Sequence, residues 1–374
     1  MMPSSNRKFQ YPLAKPWLDS NSRKYLLQAY DSGWISSRGS FIDRFETGFA
    51  SFVGTKYAVA TSNGTTSLHL ALTACGIKTG DEVIVPDFTF VAVANAVTYT
   101  GARPVFADVN RQYWGIDEEA ICQRLTKRSK AVIVVHSYGH PVDIASIRKL
   151  CDEKGLYLIE DCAEAHGAEY KGRRVGSFGD ISCFSFYGNK ILTTGEGGMC
   201  LTNDLTLAER MRRLSNHGTD PGVHFWHTVV GFNYRMTNLQ AALGYSQLRS
   251  LEARIEKYRQ VGKWYTRRLQ EAGLEPHPET NWAKCVFWMY TTLIKSINVG
   301  ARVKLEKLLA QEGIETRPAF YPISKLPPYK AASVKNKVSE FLSNHGLSLP
   351  TYYQLNEDDI QRICDILLMS LQSI

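Results

Sequence analysis

Residues 130–161 read KAVIVVHSYGHPVDIASIRKLCDEKGLYLIED. Two apolar, β-branched runs, KAVIVVHS (130–137) and LYLIED (156–161), flank DIASIRKLCDEKG, whose apolar residues recur at helical spacing and which ends on glycine. Runs that are apolar on successive residues belong to strands buried on both faces. Such strands, joined by a helix, belong to a parallel sheet. The pattern repeats outward. Further strands are expected at YAVAT (57–61), EVIVP (82–86), RPVFADV (103–109), ISCFSF (181–186) and GMCLTN (198–203). Helices are expected at TTSLHLALTAC, FVAVANAVTYTG and DEEAICQRLT. No helix separates 181–186 from 198–203, so part of the sheet can be antiparallel. The fold class is therefore α/β, with a mostly parallel sheet in a large domain.

Beyond the sheet, residues 242–273 read as one long amphipathic helix leading to a second domain. The remainder mixes a strand-like FWMYTTLI (287–294) with helices at 301–313, 333–345 and 356–371, which suits a smaller α+β domain. The expected division is 1–245 and 246–374.

The chain has 374 residues, 44% hydrophobic and 21% charged, the composition of an ordinary globular protein. A net charge of +8 suits anionic ligands, but the basic residues are scattered, as at Lys127–Arg128, and form no stripe for nucleic acid. Eight cysteines without a CxxC pair argue against a zinc site or a disulfide scaffold and for reduced thiols in the cytoplasm. No metal is expected. The N-terminal MMPSSNRKFQYPLAKPW lacks the apolar core of a signal peptide, and no apolar run reaches the length of a membrane span.

In an open α/β sheet, ligands bind beyond the carboxyl ends of the strands. YAVAT is followed by SNGTT, where Gly64 lets backbone approach closely, Thr65 and Thr66 add hydroxyls, and a helix start offers N–H groups to a phosphate. An ordinary N-cap explains the same residues. EVIVP is followed by Phe88, which suits either stacking on a planar ring or core packing. KAVIVV ends in HSYGH. LYLI ends in Glu160–Asp161, with Glu164 and His166 just after; a buried carboxylate needs a partner, either a salt bridge or the protonated ring nitrogen of a cofactor. Two readings of His166 stay open: a bond that holds Asp161, or a structural histidine, which is the commoner role of a lone one.

ISCFSF leads to YGNK and TTGEGG. The lysine, Lys190, fails the GxxxxGK[ST] phosphate-loop pattern at its first glycine and at its final hydroxyl, since Ile191 follows. Two readings stay open on its neighbourhood alone: a solvated charge, or a nucleophile deprotonated in a desolvated pocket. No GxGxxG follows the first strand, which argues against a dinucleotide site.

FSFYGNK with TTGEGG, SNGTTSLHLAL, VPDFTFVAVANAV, IEDCAEAHGA and GFNYRMTNLQAA, in this order, resembles the DegT/DnrJ/EryC1/StrS sugar aminotransferases. SGWISSRG and ETRPAFYP extend the resemblance from about residue 10 to 330. It implies the aspartate-aminotransferase (type I) fold and pyridoxal 5'-phosphate as cofactor. Lys190 would bond the cofactor's aldehyde and shuttle a proton, Asp161 would pair with the pyridinium nitrogen, and Phe88 would stack on the ring. Gly64, Thr65 and Ser185 would hold the phosphate, Glu164 would sit by the ring hydroxyl, and Asn233 would reach in from the other subunit of a homodimer. Trp34, His227, Arg317 and Tyr321 are the candidates for substrate contact.

The resemblance is closest to the branch that aminates C4 of GDP-4-keto-6-deoxy-D-mannose with L-glutamate as donor. Glu at position 164, where many members carry Gln, fits that branch. UDP- or dTDP-4-keto-6-deoxyglucose is the alternative substrate. Related dehydratases replace the lysine with histidine; this chain keeps it, which favours transamination. A lyase or racemase acting on free amino acids, and a catalytically silent cofactor-binding regulator, are the competing classes.

Overall fold

The computed structural model describes residues 9–220, 222–330 and 335–374. Helices α1 (Ser20–Asp31) and α2 (Ser40–Val53) come first. Strands and helices then alternate: β1 (Tyr57–Thr61), α3 (Gly64–Ala74), β2 (Glu82–Pro86), α4 (Ala92–Tyr99) and β3 (Arg103–Ala107). The alternation continues through α5 (Glu118–Cys122), β4 (Ser129–Val135), α6 (Ile144–Lys154) and β5 (Tyr157–Asp161). Short strands β6 (Glu169–Tyr170) and β7 (Arg173–Arg174) pair with β10 (Ala283–Lys284) in a side ladder. Strands β8 (Ile181–Ser185) and β9 (Gly198–Thr202) complete the large sheet, followed by α7 (Leu205–Ser215), α8 (Asn238–Leu248) and α9 (Leu251–Glu271). The C-terminal part holds β11 (Tyr290–Leu293), α10 (Val299–Gln311), β12 (Arg317–Pro318), α11 (Lys337–His345), β13 (Gly346–Leu349) and α12 (Glu357–Gln372).

The seven-stranded sheet has the order β1-β9-β8-β5-β4-β2-β3. All neighbours from β8 to β3 are parallel, and β9 runs antiparallel to both β8 and β1. This is the mostly parallel sheet with an antiparallel part that the strand pattern implied. Side chains alternate across a strand. Val132, Val134 and Leu158 therefore join Phe45, Phe49 and Phe184 on one face. Ile133, Val135 and Ile159 join Leu70, Val83 and Val85 on the other. Both faces are covered, which is why the strands read as continuous apolar runs. A third cluster, built from Tyr265, Leu305, Leu347 and Leu367, packs α9, α10 and α12 on the small sheet β11-β13-β12.

Three expectations need correction. The single helix over 242–273 is two, α8 and α9, broken at Arg249–Ser250. Ser250 leaves helical geometry (φ −114°, ψ 11°), its N–H and hydroxyl both turning back to the Gln247 carbonyl (3.1 and 3.2 Å). The Gln247 amide is committed to Thr193, which fixes the direction of α8. The strand over 287–294 shrinks to β11 because Phe287 adopts a left-handed backbone (φ 48°). The helix over DEEAICQRLT stops after one turn, where the Arg124 N–H closes on the Ile121 carbonyl. The helix expected at 333–345 is seen from Lys337; residues 333–334 lie outside the described residues. Among the described residues no helix is long and apolar enough to cross a membrane.

Candidate active site

A cavity of about 960 Å³ opens beyond the carboxyl ends of β5 and β8, between the large sheet and the C-terminal segment around β12. Gly64, Thr65, Asp161, Glu164, Ser185 and Lys190 line one side, and Arg317 and Tyr321 the other. Eight of the residues singled out from sequence thus share one wall or the facing one.

Adjacent carboxylates at the end of β5 have opposite fates. Glu160 accepts N–H groups from Gly176 (2.8 Å), Phe178 (2.8 Å) and Gly179 (2.6 Å) and meets His136 Nε2 at 3.2 Å. His136 Nδ1 accepts the Val142 N–H, so Nε2 carries the proton given to Glu160. Burial pushes Glu160 up, but these donors outweigh it and hold its carboxyl below the ordinary value. His136, Glu160 and Cys162 bring ligand-type atoms within 4.8 Å of one another. The two side chains are nonetheless saturated by one another and by backbone.

Asp161 points to the cavity instead. It accepts one N–H, from Ala163 (3.0 Å). Burial raises its pKa, opposed by the Ala163 bond and by the charge of Lys190. A buried carboxylate with acceptor capacity left over is suited to a cationic ligand group. The expected hold by His166 is not what the structure shows: that ring packs among Phe49, Phe184 and Phe186. Burial pushes its pKa down to about 3, so it is a neutral core histidine.

Lys190 stands opposite. Its backbone closes a tight turn on the Tyr187 carbonyl (2.9 Å), and its Nζ lies 3.7 Å from the centroid of the Trp288 ring. Burial lowers its pKa, while Glu164 and Asp161 pull it back up. Glu164 is pushed up to about 7 by burial and by the Asp161 charge, against the pull of Lys190 and of the Tyr138 N–H, which donates to it at 2.7 Å. The Thr194–Gly198 run then turns into β9. A Cβ at Gly197 (φ 159°) would strike Thr194 Oγ1 at 2.3 Å, so these glycines serve the turn.

The phosphate candidate is the start of α3. Asn63 caps it in a capping box with Thr66, and its carbonyl takes the Ser67 N–H. The Gly64 and Thr65 N–H groups, with no carbonyl four residues back, are left at the cavity wall. A Cβ on Gly64 would lie 2.8 Å from Ser185 Cβ. Only glycine therefore brings the helix start this close to the Ser185 hydroxyl.

Four expected residues lie elsewhere. Phe88 is 0% exposed, wedged against Tyr138 and Phe320 (6.1 Å each), and does not face the cavity. Asp87 before it is anchored by Ser324 and Asn336, and Phe90, 58% exposed, turns out to the cavity instead. Asn233 is exposed and accepts from Arg235. The Trp34 side chain is exposed, with its carbonyl taken by Asn238, and His227 bonds the His217 carbonyl. None of these three lines the cavity of its own chain. Sequence reading missed Phe90, Tyr138 and Trp288 on the wall. The HSYGH run at the end of β4 was the signal available for Tyr138.

The sequence profile of the DegT/DnrJ/EryC1/StrS aminotransferase family matches residues 16–368. A GDP-perosamine synthase of Vibrio cholerae is 44% identical over 356 residues, 95% of this chain and 97% of that one. A GDP-perosamine synthase of Caulobacter vibrioides is 45% identical over 355 residues, 94% of this chain and 95% of that one. Among solved structures, Helicobacter pylori PseC, an aminotransferase involved in the biosynthesis of pseudoaminic acid, superposes with a TM-score of 0.92 at 29% identity, covering 98% of this chain and 100% of that one. The architecture is the aspartate-aminotransferase (type I) arrangement.

Proposed function

Because the chain belongs to the DegT/DnrJ/EryC1/StrS aminotransferase family, we propose that it is a pyridoxal 5'-phosphate enzyme that moves an amino group from L-glutamate to C4 of GDP-4-keto-6-deoxy-D-mannose, giving GDP-perosamine. The substrate reading rests on relatives named GDP-perosamine synthase at 42% to 45% identity across most of the chain. The chemistry rests on one observation: Lys190 is held beside two buried carboxylates, Asp161 and Glu164, in the cavity.

The residues fit the cofactor. The cradle a Gly64 Cβ would fill suits a phosphate, and Asp161 keeps acceptor capacity for a ring cation. When bound, the cofactor supplies an electrophilic aldehyde and an electron sink for the bond broken at the donor's α-carbon. Lys190 supplies the amine that bonds it, and burial favours the neutral, nucleophilic form of that amine. Freed by the incoming donor, the Lys190 Nζ is placed to take the proton from the donor's α-carbon and deliver it to the cofactor carbon that carried the aldehyde. Asp161 keeps the ring nitrogen protonated. Phe90 takes the ring-facing role first expected of Phe88, since it presents its side chain to the cavity. Arg317 offers a guanidinium to the diphosphate. Tyr321 lies beside it on the same wall.

The division we propose is 1–245 for the cofactor-binding part and 246–374 for the smaller part, whose Arg317–Tyr321 stretch lines the facing wall of the cavity. The working unit is a homodimer. In support, Trp34, His227 and Asn233 lie outside their own cavity, and the loop carrying His227 exposes Phe225 (82%) and Val230 (91%). The enzyme works in the cytoplasm, where its cysteines, seven of eight buried, stay reduced.

The test is a substrate panel. Protein with L-glutamate and GDP-4-keto-6-deoxymannose should form 2-oxoglutarate in step with amino sugar, faster than with UDP- or dTDP-4-keto-6-deoxyglucose. Preference for either of those overturns the nucleotide assignment. Lys190→Ala should lose the cofactor's lysine-linked absorbance band and all turnover; a variant transaminating at the wild-type rate overturns the chemistry.

A further inference from the structure

The wall carrying Arg317 and Tyr321 has no packing of its own on those side chains. Tyr321 is 55% exposed, and Arg317 bonds only the neighbouring Glu315 (3.4 Å) among the described residues. What fixes this wall is its backbone: β12 pairs with β13, the Ala319 N–H donates to the Gly346 carbonyl (3.1 Å), and two further staples tie the residues after it to the strand ends of the large sheet. At Phe320 the N–H donates to the Tyr138 hydroxyl (3.0 Å), and the two rings stack at 4.9 Å and 24°. At Ile323 the N–H donates to the Asp87 carbonyl (2.9 Å). The Ser324 N–H and hydroxyl then donate to the two Asp87 carboxylate oxygens (2.7 Å each), and the Asn336 amide adds a third donor (2.9 Å).

Both anchors are fully buried and come from the ends of β4 and β2. Among the described residues Asp87 has no lysine or arginine bonded to it, only the three neutral side-chain and backbone donors. A carboxylate buried on such terms is costly unless the segment it holds must sit in one place. Tyr138 also reaches the other way. Its own N–H donates to Glu164 at 2.7 Å, which its left-handed backbone (φ 54°) permits. One residue therefore touches the carboxylate beside Lys190 and the backbone beside Tyr321.

We propose that Tyr138 and Asp87 are positioning residues that hold the Arg317–Ser324 segment at the distance a nucleotide sugar requires, and so act on the sugar half-reaction rather than the amino-donor half-reaction. The inference rests on the reading above that this cavity takes a nucleotide sugar. The mechanism is geometric. Neither side chain touches the donor's reacting atoms, but each sets where the guanidinium and phenol of the facing wall stand.

The two half-reactions can be measured apart. The first is followed from L-glutamate by the cofactor's absorbance change in single turnover. The second is followed from the amine-loaded enzyme and the sugar nucleotide that the wild type aminates. Tyr138→Phe keeps the ring and deletes only the hydroxyl. Asp87→Asn keeps the size and deletes the charge. Each should raise KM for the sugar nucleotide about tenfold, the scale of one or two hydrogen bonds; with Asp87→Asn, at a residue that does not line the cavity, rate and KM with glutamate stay within about twofold. Ser324→Ala, which removes one donor and no buried charge, should shift KM in the same direction and secures the test if Asp87→Asn folds poorly. A parallel fall in both half-reactions, or a changed Tm with both KM values intact, overturns the positioning role. A wild type that aminates none of the three sugars overturns the functional reading itself, and the inference with it.

Discussion

The two walls of the cavity are built on opposite principles. The strand-end wall holds its charges in packed surroundings: Asp161 and Glu164 are buried, and Lys190 lies over Trp288 with its pKa lowered by desolvation. The facing wall leaves Arg317 and Tyr321 exposed and spends its hydrogen bonds on backbone. Burial perturbs proton affinity, which bond-making chemistry needs. Exposure leaves donors unsatisfied until a ligand arrives, which recognition needs. On the function proposed above, the difference divides the two tasks of a transaminase: bonds would change on the sheet side, and the substrate would be chosen on the C-terminal side.

That contrast can be broken by single changes. The largest effect should come from the strand-end wall. Asp161→Asn is nearly isosteric and keeps the acceptor for Ala163, but removes the charge that would hold a ring proton. Turnover should fall on the order of 10²–10³-fold, as when one preorganised electrostatic partner is lost, and both half-reactions should fall together. Single-turnover rates with glutamate and with the sugar nucleotide check this. A loss confined to the sugar step would erase the division between the walls. Arg317→Ala should act the other way. Loss of charged hydrogen bonds to a diphosphate should raise KM for the sugar nucleotide about 10–100-fold, with the glutamate half-reaction less affected, measured by the same pair of assays. Equal damage to both would place Arg317 on the donor as well.

How legible each wall was in the sequence follows from the same contrast. Gly64, Asp161, Glu164, Ser185 and Lys190 each follow a strand within a few residues, so chemistry and topology are local and could be read together. Phe88 was misassigned to the cavity because Phe88 and Phe90 lie in one loop, and which ring turns outward is set by the distant Ser324 and Asn336 on Asp87. The left-handed backbone of Tyr138 leaves no mark in HSYGH. The break between α8 and α9 was missed because the Gln247–Thr193 bonds that orient α8 span 54 residues. No glycine or proline stands at Arg249–Ser250 to mark the break. The roles expected of Arg317 and Tyr321 came from resemblance alone, since nothing in their own neighbourhood tells that β12 folds against the sheet ends.

The smallest expected effect tests whether the strand-end wall stores proton affinity before any ligand binds. Glu164 titrates near 4.3 in an unfolded chain and near 7 in the folded protein, raised by burial and by Asp161. Between those values the folded protein holds a proton that the unfolded chain has lost. The contribution of Glu164 to stability therefore falls as pH rises through that window, by at most about 3–4 kcal/mol, and levels off above about pH 7. Glu164→Gln carries no such proton and keeps an acceptor for the Tyr138 N–H. In cofactor-stripped protein, the variant should gain on the wild type by a few °C of Tm, on the order expected for such energies, as pH goes from about 4.5 to about 7. A variant whose Tm relative to the wild type stays constant, or falls, over that range would mean that Glu164 is ionised throughout and that this wall, like the facing one, acquires its electrostatics only from its ligands.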